Sequence, residues 1–307
     1  MYFCNIKANL RNFAGYKKLF MEIIIEKEAG FCFGVVRAIK SLEKELQQDG
    51  TLYCIGDIVH NSMEVKRLEK LGLKTVSVEE FESLRDCKVM IRAHGEPPST
   101  YQTAKRNNIT LIDATCPMVL KLQKDVRAGY ENMQRKNGQI IIFGKKGHAE
   151  VVGLVGQTDN NAVVISNEED IKNIDMTRPV HIFSQTTKNK EDYRRITQLI
   201  LDKHETKDVT VTDSICKKVS LRAEKLEKFA KSVDCVLFVA GRHSSNGLYL
   251  YELCKKFNTH TFFITDTDDI DSEKLKSFEK IGISGATSTP MWLMKKVEKY
   301  ILSQIQQ

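Results

Sequence analysis

No apolar run in this sequence approaches the roughly 18 residues that a membrane-spanning helix needs, and the longest ones, such as QIIIFG at 139–144, have strand length. A chain without a membrane segment is expected, and a soluble one. The first twenty residues carry Lys7, Arg11, Lys17 and Lys18 and no acid, but they lack the apolar core of a secretory signal. Residues 1–21 therefore read as a leader or upstream extension, with Met21 opening directly into the first strand. No CxxC pair is present, which argues against zinc ribbons and dithiol redox motifs, and the close cysteine triplets of ferredoxins are missing too. The eight cysteines lack the dense spacing of a disulfide scaffold, which points to a reducing compartment and, by default, the cytoplasm. The glycines of IIIFGKKGH match neither GxGxxG nor a P-loop, so no nucleotide site is indicated. Aromatics do not alternate with basic residues, and despite a net charge of +7 most lysines lie beside glutamates in helical patterns such as SLEKELQQ. Solvated helix surface explains them better than a nucleic-acid groove.

What the chain does contain is a pattern repeated three times. An apolar, strand-like run ends at a cysteine and a helical pattern begins, in MEIIIEKEAGFCFGVVRA from residue 21, ITLIDATCPMVLKLQ from residue 109 and VTVTDSICKKVSLRAEK from residue 209. Cys32, Cys116 and Cys216 thus share one role, at turns between strand and helix. In α/β proteins the carboxyl ends of strands face the ligand crevice. At 307 residues and 41% apolar content the chain is long enough for two or three such domains.

Each cysteine is followed by a helix, a strand ending in a polar cluster, another helix, and a strand ending in a second cluster. The clusters are IVHN at 58–61 and RAHGE at 92–96, then KGHAE at 146–150 and SQTT at 184–187, then RHSSN at 242–246 and SGATST at 284–289. The separation from cysteine to first cluster is roughly 30 residues in each third, which suggests triplication of one unit. The expected fold class is α/β, with three similar small lobes of mainly parallel sheet at 22–115, 116–215 and 216–290. A C-terminal helix over 291–307 follows Pro290. A pseudo-threefold arrangement would bring all the loops to one central cavity.

Any one of the three cysteines, taken singly, is more readily explained as structural. Their shared position before helices, where thiolate is favoured, reverses that reading. Three widely spaced thiolates suit a cubane cluster with one iron left open, whereas Cys54, Cys87, Cys235 and Cys254 sit in apolar patterns and read as small buried hydrophobes. His60, His94 and His148 occupy equivalent loops. With Ser244, Ser245, Asn246, Gln185, Thr186, Thr187 and Ser288 they offer many hydrogen-bond donors and few fixed charges, which suits a phosphorylated ligand. Glu150 is the general-acid candidate, since burial beside an anion would raise its pKa. Glu96, followed by two prolines, reads as loop surface, and His181, His204, His243 and His260 receive no role.

In this order, GFCFGVVRA, IVHN, AHG, DATCPMV, KKGHAEVVG, SQTT, DSIC, SSN and GATSTP strongly resemble the 4-hydroxy-3-methylbut-2-enyl diphosphate reductase family over residues 30–290. The resemblance implies the terminal step of the non-mevalonate isoprenoid pathway and three α/β lobes around a 4Fe-4S cluster ligated by Cys32, Cys116 and Cys216. It implies diphosphate binding by His60, His94, His148, Ser244, Ser245, Asn246 and Ser288, and an acid at Glu150 with Thr186 near the substrate hydroxyl. An external one-electron donor such as a ferredoxin or flavodoxin would supply two electrons. The chain departs from the family's pattern at KKVSLRAEK, where an Ala-Thr pair and an Arg-Gln pair are usual, and at the EPP after AHG. Both departures are expected on helix surface and loop. Two other readings stand beside this one. A hydro-lyase would need no reductant, and an iron-sulfur sensor would bind nucleic acid or an effector.

Overall fold

The computed structural model describes residues 21–305, so the leader reading falls on residues that, Met21 apart, lie outside the described ones. In chain order the strands are β1 (Glu22–Ile25), β2 (Leu52–Ile55), β3 (Leu73–Val76), β4 (Lys88–Ile91), β5 (Thr110–Asp113), β6 (Gln139–Phe143), β7 (Val163–Ile165), β8 (Val180–Ser184), β9 (Val209–Val211), β10 (Cys235–Val239), β11 (Thr261–Ile264) and β12 (Lys280–Gly285). They form three four-stranded sheets, ordered β3-β2-β4-β5, β7-β6-β8-β9 and β11-β10-β12-β1, and every pairing is parallel. The α/β class and the three parallel-sheet lobes are as expected from the alternation of strands and helices.

All three sheets are wound alike, and β1 takes in the third the place that β5 and β9 take in the others. The strand does not join the lobe expected at 22–115. It pairs with β12, Ile23 beside Ile281 and Ile25 beside Ile283. The physical reason is that each cysteine follows the strand at one edge of a sheet: β5 and β9 end their own sheets before Cys116 and Cys216, and β1, before Cys32, takes the same edge of the sheet whose other strands come last in the chain. The edge strands β3, β7 and β11 also escape the sequence reading, because three or four residues carry too little alternation to register.

The helices after the cysteines form where the pattern places them, at Phe33–Asp49, Pro117–Arg135 and Lys217–Ala230. In the second, Pro117 takes a position whose N–H has no helical partner in any case. Val119, Leu122, Val126, Tyr130 and Met133 recur at steps of three and four and are buried. Among the described residues no helix is long and apolar enough to cross a membrane.

The chain divides into two compact units. One comprises the residues up to Phe33, Val59–Arg67 and those from Leu221 on; the other comprises Gly34–Ile58 and Leu68–Ser220. In the first, β10 is buried on both faces. Leu237 and Val239 join Leu293, Val297 and Ile301 of the helix Met291–Ile305 in one cluster. Val236 and Phe238 join Leu226, Ala230 and Leu250 in another. In the second unit β6 does the same, with Ile141 and Phe143 beside Tyr193 and Ile196 and with Ile140 and Ile142 beside Leu122 and Val126. Strands buried on both faces read as continuous apolar runs, which is why CVLFV and QIIIF stood out in the sequence.

Candidate active site

All the candidate residues follow the carboxyl ends of strands, where an α/β fold presents its ligand loops. In the unit of residues 34–58 and 68–220, β4 leads to His94, β5 to Cys116, β6 to His148 and Glu150, β8 to Thr186 and β9 to Cys216. Backbone bonds tie these turns together. Cys116 N–H donates to Ala93 O at 3.0 Å and Cys216 N–H donates to Thr186 O at 2.9 Å. His94 and His148 meet edge to face with ring centroids 5.4 Å apart. His148 caps the helix Ala149–Gly156, its Nδ1 accepting the Glu150 N–H at 3.2 Å. With Nδ1 occupied as an acceptor, the proton of a neutral ring sits on Nε2.

Glu150 is 2% exposed. Thr186 N–H donates to its Oε1 at 2.6 Å and Thr186 Oγ1 donates to its Oε2 at 2.9 Å. Both bonds favour the charged form, yet removal from water outweighs them and pushes the carboxyl up to about 7. Near neutral pH this acid therefore holds a proton for a large share of the time, next to a hydroxyl able to pass one on.

Two features of the same unit shape the Cys116 turn. Gly34 lies against it, and a Cβ there would sit 2.8 Å from Cys116 Sγ, so glycine keeps room at the sulfur. Tyr101 donates its hydroxyl to Asp113 Oδ2 at 2.8 Å while Asp113 Oδ1 accepts the Thr115 N–H at 2.9 Å. This brace was not foreseen, because nothing local in the sequence links Tyr101 to Asp113.

In the other unit β1 leads to Cys32, the segment 59–67 supplies His60, β10 leads to Ser244, Ser245 and Asn246, and β12 leads to Ser288. Cys32 N–H donates to Thr287 O at 3.3 Å, and the Ser244 and Ser288 hydroxyls lie 3.1 Å apart. Asn246 Oδ1 accepts from Thr287 N and Oγ1 at 3.3 and 2.9 Å. Its Nδ2 is buried with no protein partner, an orphan donor of the kind a ligand oxygen satisfies. Ser244 caps the helix Ser245–Phe257, so its neighbours present neutral donors at a helix N-terminus, a setting that suits anions. A Cβ at Gly241 would lie 2.3 Å from His60 O, so only glycine lets the chain before Ser244 approach the His60 turn. His243 is exposed.

Two expectations are corrected here. Arg222, in the stretch expected on helix surface, is buried and grips both oxygens of buried Glu26. It also donates to Ser284 Oγ at 2.9 Å and Gly285 O at 3.2 Å. A guanidinium with a carboxylate to face belongs inside once its hydrogen bonds are satisfied, and no local pattern joins residues so far apart in the chain. Glu96, expected on loop surface, is 6% exposed and packs 3.7 Å from Arg92 Nε. Burial pushes its carboxyl up, the nearby guanidinium opposing.

The cysteines separate into two kinds. Burial pushes the thiols of Cys54 and Cys235 up to about 12 and that of Cys254 up to about 11, as inert hydrophobes. Cys32, Cys116 and Cys216 are half-buried at helix starts, and no disulfide joins any described cysteine. Thiols are the donors an iron-sulfur cluster takes, and Gly34 keeps space at the Cys116 sulfur, so these residues fit such a group in kind.

A profile of the family described as LytB protein matches residues 23–302. The 4-hydroxy-3-methylbut-2-enyl diphosphate reductase of Parabacteroides distasonis is 51% identical over 278 residues, covering 90% of this chain and 96% of its own length. That of Porphyromonas gingivalis is 47% identical over 283 residues, covering 91% and 98%. Among solved structures, the E-1-hydroxy-2-methyl-but-2-enyl-4-diphosphate reductase of Plasmodium falciparum superposes with a TM-score of 0.79 at 27% identity, covering 90% of this chain and 86% of that one. The structure described as (E)-4-hydroxy-3-methyl-but-2-enyl diphosphate reductase, the terminal enzyme of the non-mevalonate pathway, has a TM-score of 0.68 at 34% identity, covering 92% and 99%. The chain belongs to the LytB protein family and is, by that membership, an oxidoreductase.

Proposed function

We propose that this enzyme removes the allylic hydroxyl of 4-hydroxy-3-methylbut-2-enyl diphosphate reductively, yielding isopentenyl and dimethylallyl diphosphates in the reducing cytoplasm. Two electrons and two protons enter, and the oxygen leaves as water. The observation that carries the reading is the buried Glu150–Thr186 pair, an acid poised near neutral pH against the residue whose backbone carbonyl receives Cys216 N–H.

Cys32, Cys116 and Cys216 would hold a 4Fe-4S cluster, which when bound supplies single-electron chemistry and Lewis acidity. The chain's own residues do the rest. His60, His94 and His148 donate ring N–H groups to the diphosphate, and Ser244, Ser245, Asn246 and Ser288 add neutral donors, among them the orphan Nδ2 of Asn246. Neutral donors hold a polyanion without pinning extra charge in the site. Glu150 hands its proton to Thr186 Oγ1, whose own proton moves to the departing oxygen. Protonation turns a poor leaving group, hydroxide, into water.

The test is anaerobic purification with iron and sulfide quantified, then addition of the diphosphate substrate and reduced methyl viologen. The expected result is about four irons and four sulfides per chain, viologen oxidised in step with substrate loss, and both diphosphate products. Substrate loss without viologen oxidation would replace the reductase reading with the hydro-lyase. A Cys116→Ser protein that keeps its brown colour and its turnover would remove Cys116 from the ligand set.

A further inference from the structure

The departure from the family's pattern at KKVSLRAEK leaves a surface that the proposed reaction does not otherwise use. The helix Lys217–Ala230 turns Val219, Arg222, Leu226 and Ala230 inward. Lys217, Lys218, Leu221, Glu224, Lys225 and Lys228 are exposed. At about 100° per residue these six share an arc of about 120° on the helix. Leu221, in the middle of the stripe, is 52% exposed.

Lys228, in the last turn, suits the helix dipole, but the start of the stripe does not. The first turn of a helix favours acids, because its unpaired N–H groups carry partial positive charge. Here the first turn holds Lys217 and Lys218 and no acid. The helices that follow Cys32 and Cys116 begin Phe-Gly-Val and Pro-Met-Val, without a cation. Lys225 is partly offset by Glu28 at 2.8 Å, but both groups are half-exposed and the pair contributes little. An exposed leucine ringed by lysines has the make-up of a contact surface, with an apolar centre and a charged rim.

We infer that the solvent face of the helix Lys217–Ala230 is the docking surface for the electron donor, a small acidic one-electron carrier protein of the ferredoxin type. The inference rests on the reading of Cys216 as a cluster ligand. The stripe starts at the residue bonded to Cys216, so a carrier seated on its first turns delivers electrons next to a ligating sulfur. Charge complementarity selects the partner, since lysines steer an acidic protein and repel a basic one.

The experiment compares the parent holoenzyme with two charge reversals, K217E/K218E and K225E/K228E, the second pair about three turns from Cys216. Reduced acidic ferredoxin and reduced methyl viologen serve as alternative donors, and ferredoxin binding is measured by calorimetry at low and high salt. Each reversal is expected to raise the ferredoxin concentration for half-maximal rate about tenfold at low salt. Affinity should fall in parallel, while the viologen-driven rate stays at the parent's level. Parent-like ferredoxin kinetics and affinity in both variants would overturn the assignment. So would a viologen-driven rate that falls along with the ferredoxin-driven one, which would place the lysines in the site itself. Tight binding of single-stranded RNA through the same lysines, with none of ferredoxin, would reassign the face to nucleic acid. Ferredoxin bound through this face by a parent that shows no viologen-driven turnover would overturn the proposed reaction and leave the docking surface standing.

Discussion

Glu150 and Glu26 are both buried carboxyls that follow a strand, one in each compact unit, and their surroundings are opposite. Around Glu150 the contacts are neutral, an amide N–H and a hydroxyl from Thr186. Around Glu26 they include the guanidinium of Arg222 on both oxygens and the Ser284 hydroxyl at 2.6 Å. Burial without a counter-charge leaves an acid that can give up a proton near neutral pH, whereas burial with one yields a fixed ion pair that braces β1, β12 and the helix Lys217–Ala230. One unit thus carries a buried carboxyl among neutral partners, and the other a buried carboxyl held by a guanidinium.

The comparison breaks first, and hardest, at Glu150. Glu150→Gln is expected to lower turnover by about 10²- to 10⁴-fold while calorimetry shows the diphosphate substrate still bound; parent-like turnover would remove the residue as proton donor. At Glu26 the expected loss is in stability instead. Arg222→Met leaves a buried carboxylate without its partner and should cost about 3–5 kcal/mol in urea unfolding. Replacing both partners by apolar residues should recover much of that loss, and a double variant no better than the single would contradict the ion-pair account.

A pH series sharpens the contrast. Because burial raises the folded pKa of Glu150 from 4.5 to about 7, the folded chain binds the proton more tightly than the unfolded one. Its contribution is therefore complete below about pH 4.5 and is lost as pH rises through 7, on the order of 3 kcal/mol in all. The difference in unfolding free energy between parent and Glu150→Gln should follow that slope; a difference independent of pH would mean the carboxyl titrates normally. The smallest effect is expected at Ser244→Ala. Removing the cap on Gly247 N–H, 3.0 Å away, costs about 1 kcal/mol. Loss of a donor should weaken diphosphate binding about fivefold with the saturated rate unchanged, as binding isotherms and steady-state kinetics would check.

Much of this molecule was legible in its sequence because the informative residues repeat. Cys32, Cys116 and Cys216 marked strand ends, and the helices after them formed as their three- and four-residue periodicity required. The polar candidates followed strands for the same reason. What stayed hidden depends on partners far apart in the chain. Arg222 looked like helix surface until it met Glu26. Glu96 looked like a loop until Arg92 packed against it. The strand VVI at 163–165 is short and lies at a sheet edge, so its alternation was too brief to read.

The pairing of β1 with β12 has a consequence for how the protein is made. The strand that leaves the ribosome early has its partner near the opposite end of the chain, so at 5–20 residues per second it waits on the order of tens of seconds for a neighbour. During synthesis the apolar EIII segment has no partner in its own sheet, an interval in which an unpaired strand is prone to associate. Cys32, whose N–H is bonded to Thr287 O, can take its final position only after translation has passed β12, so any cofactor it helps to hold is acquired after that point, and removing β12 should disorder the segment around β1.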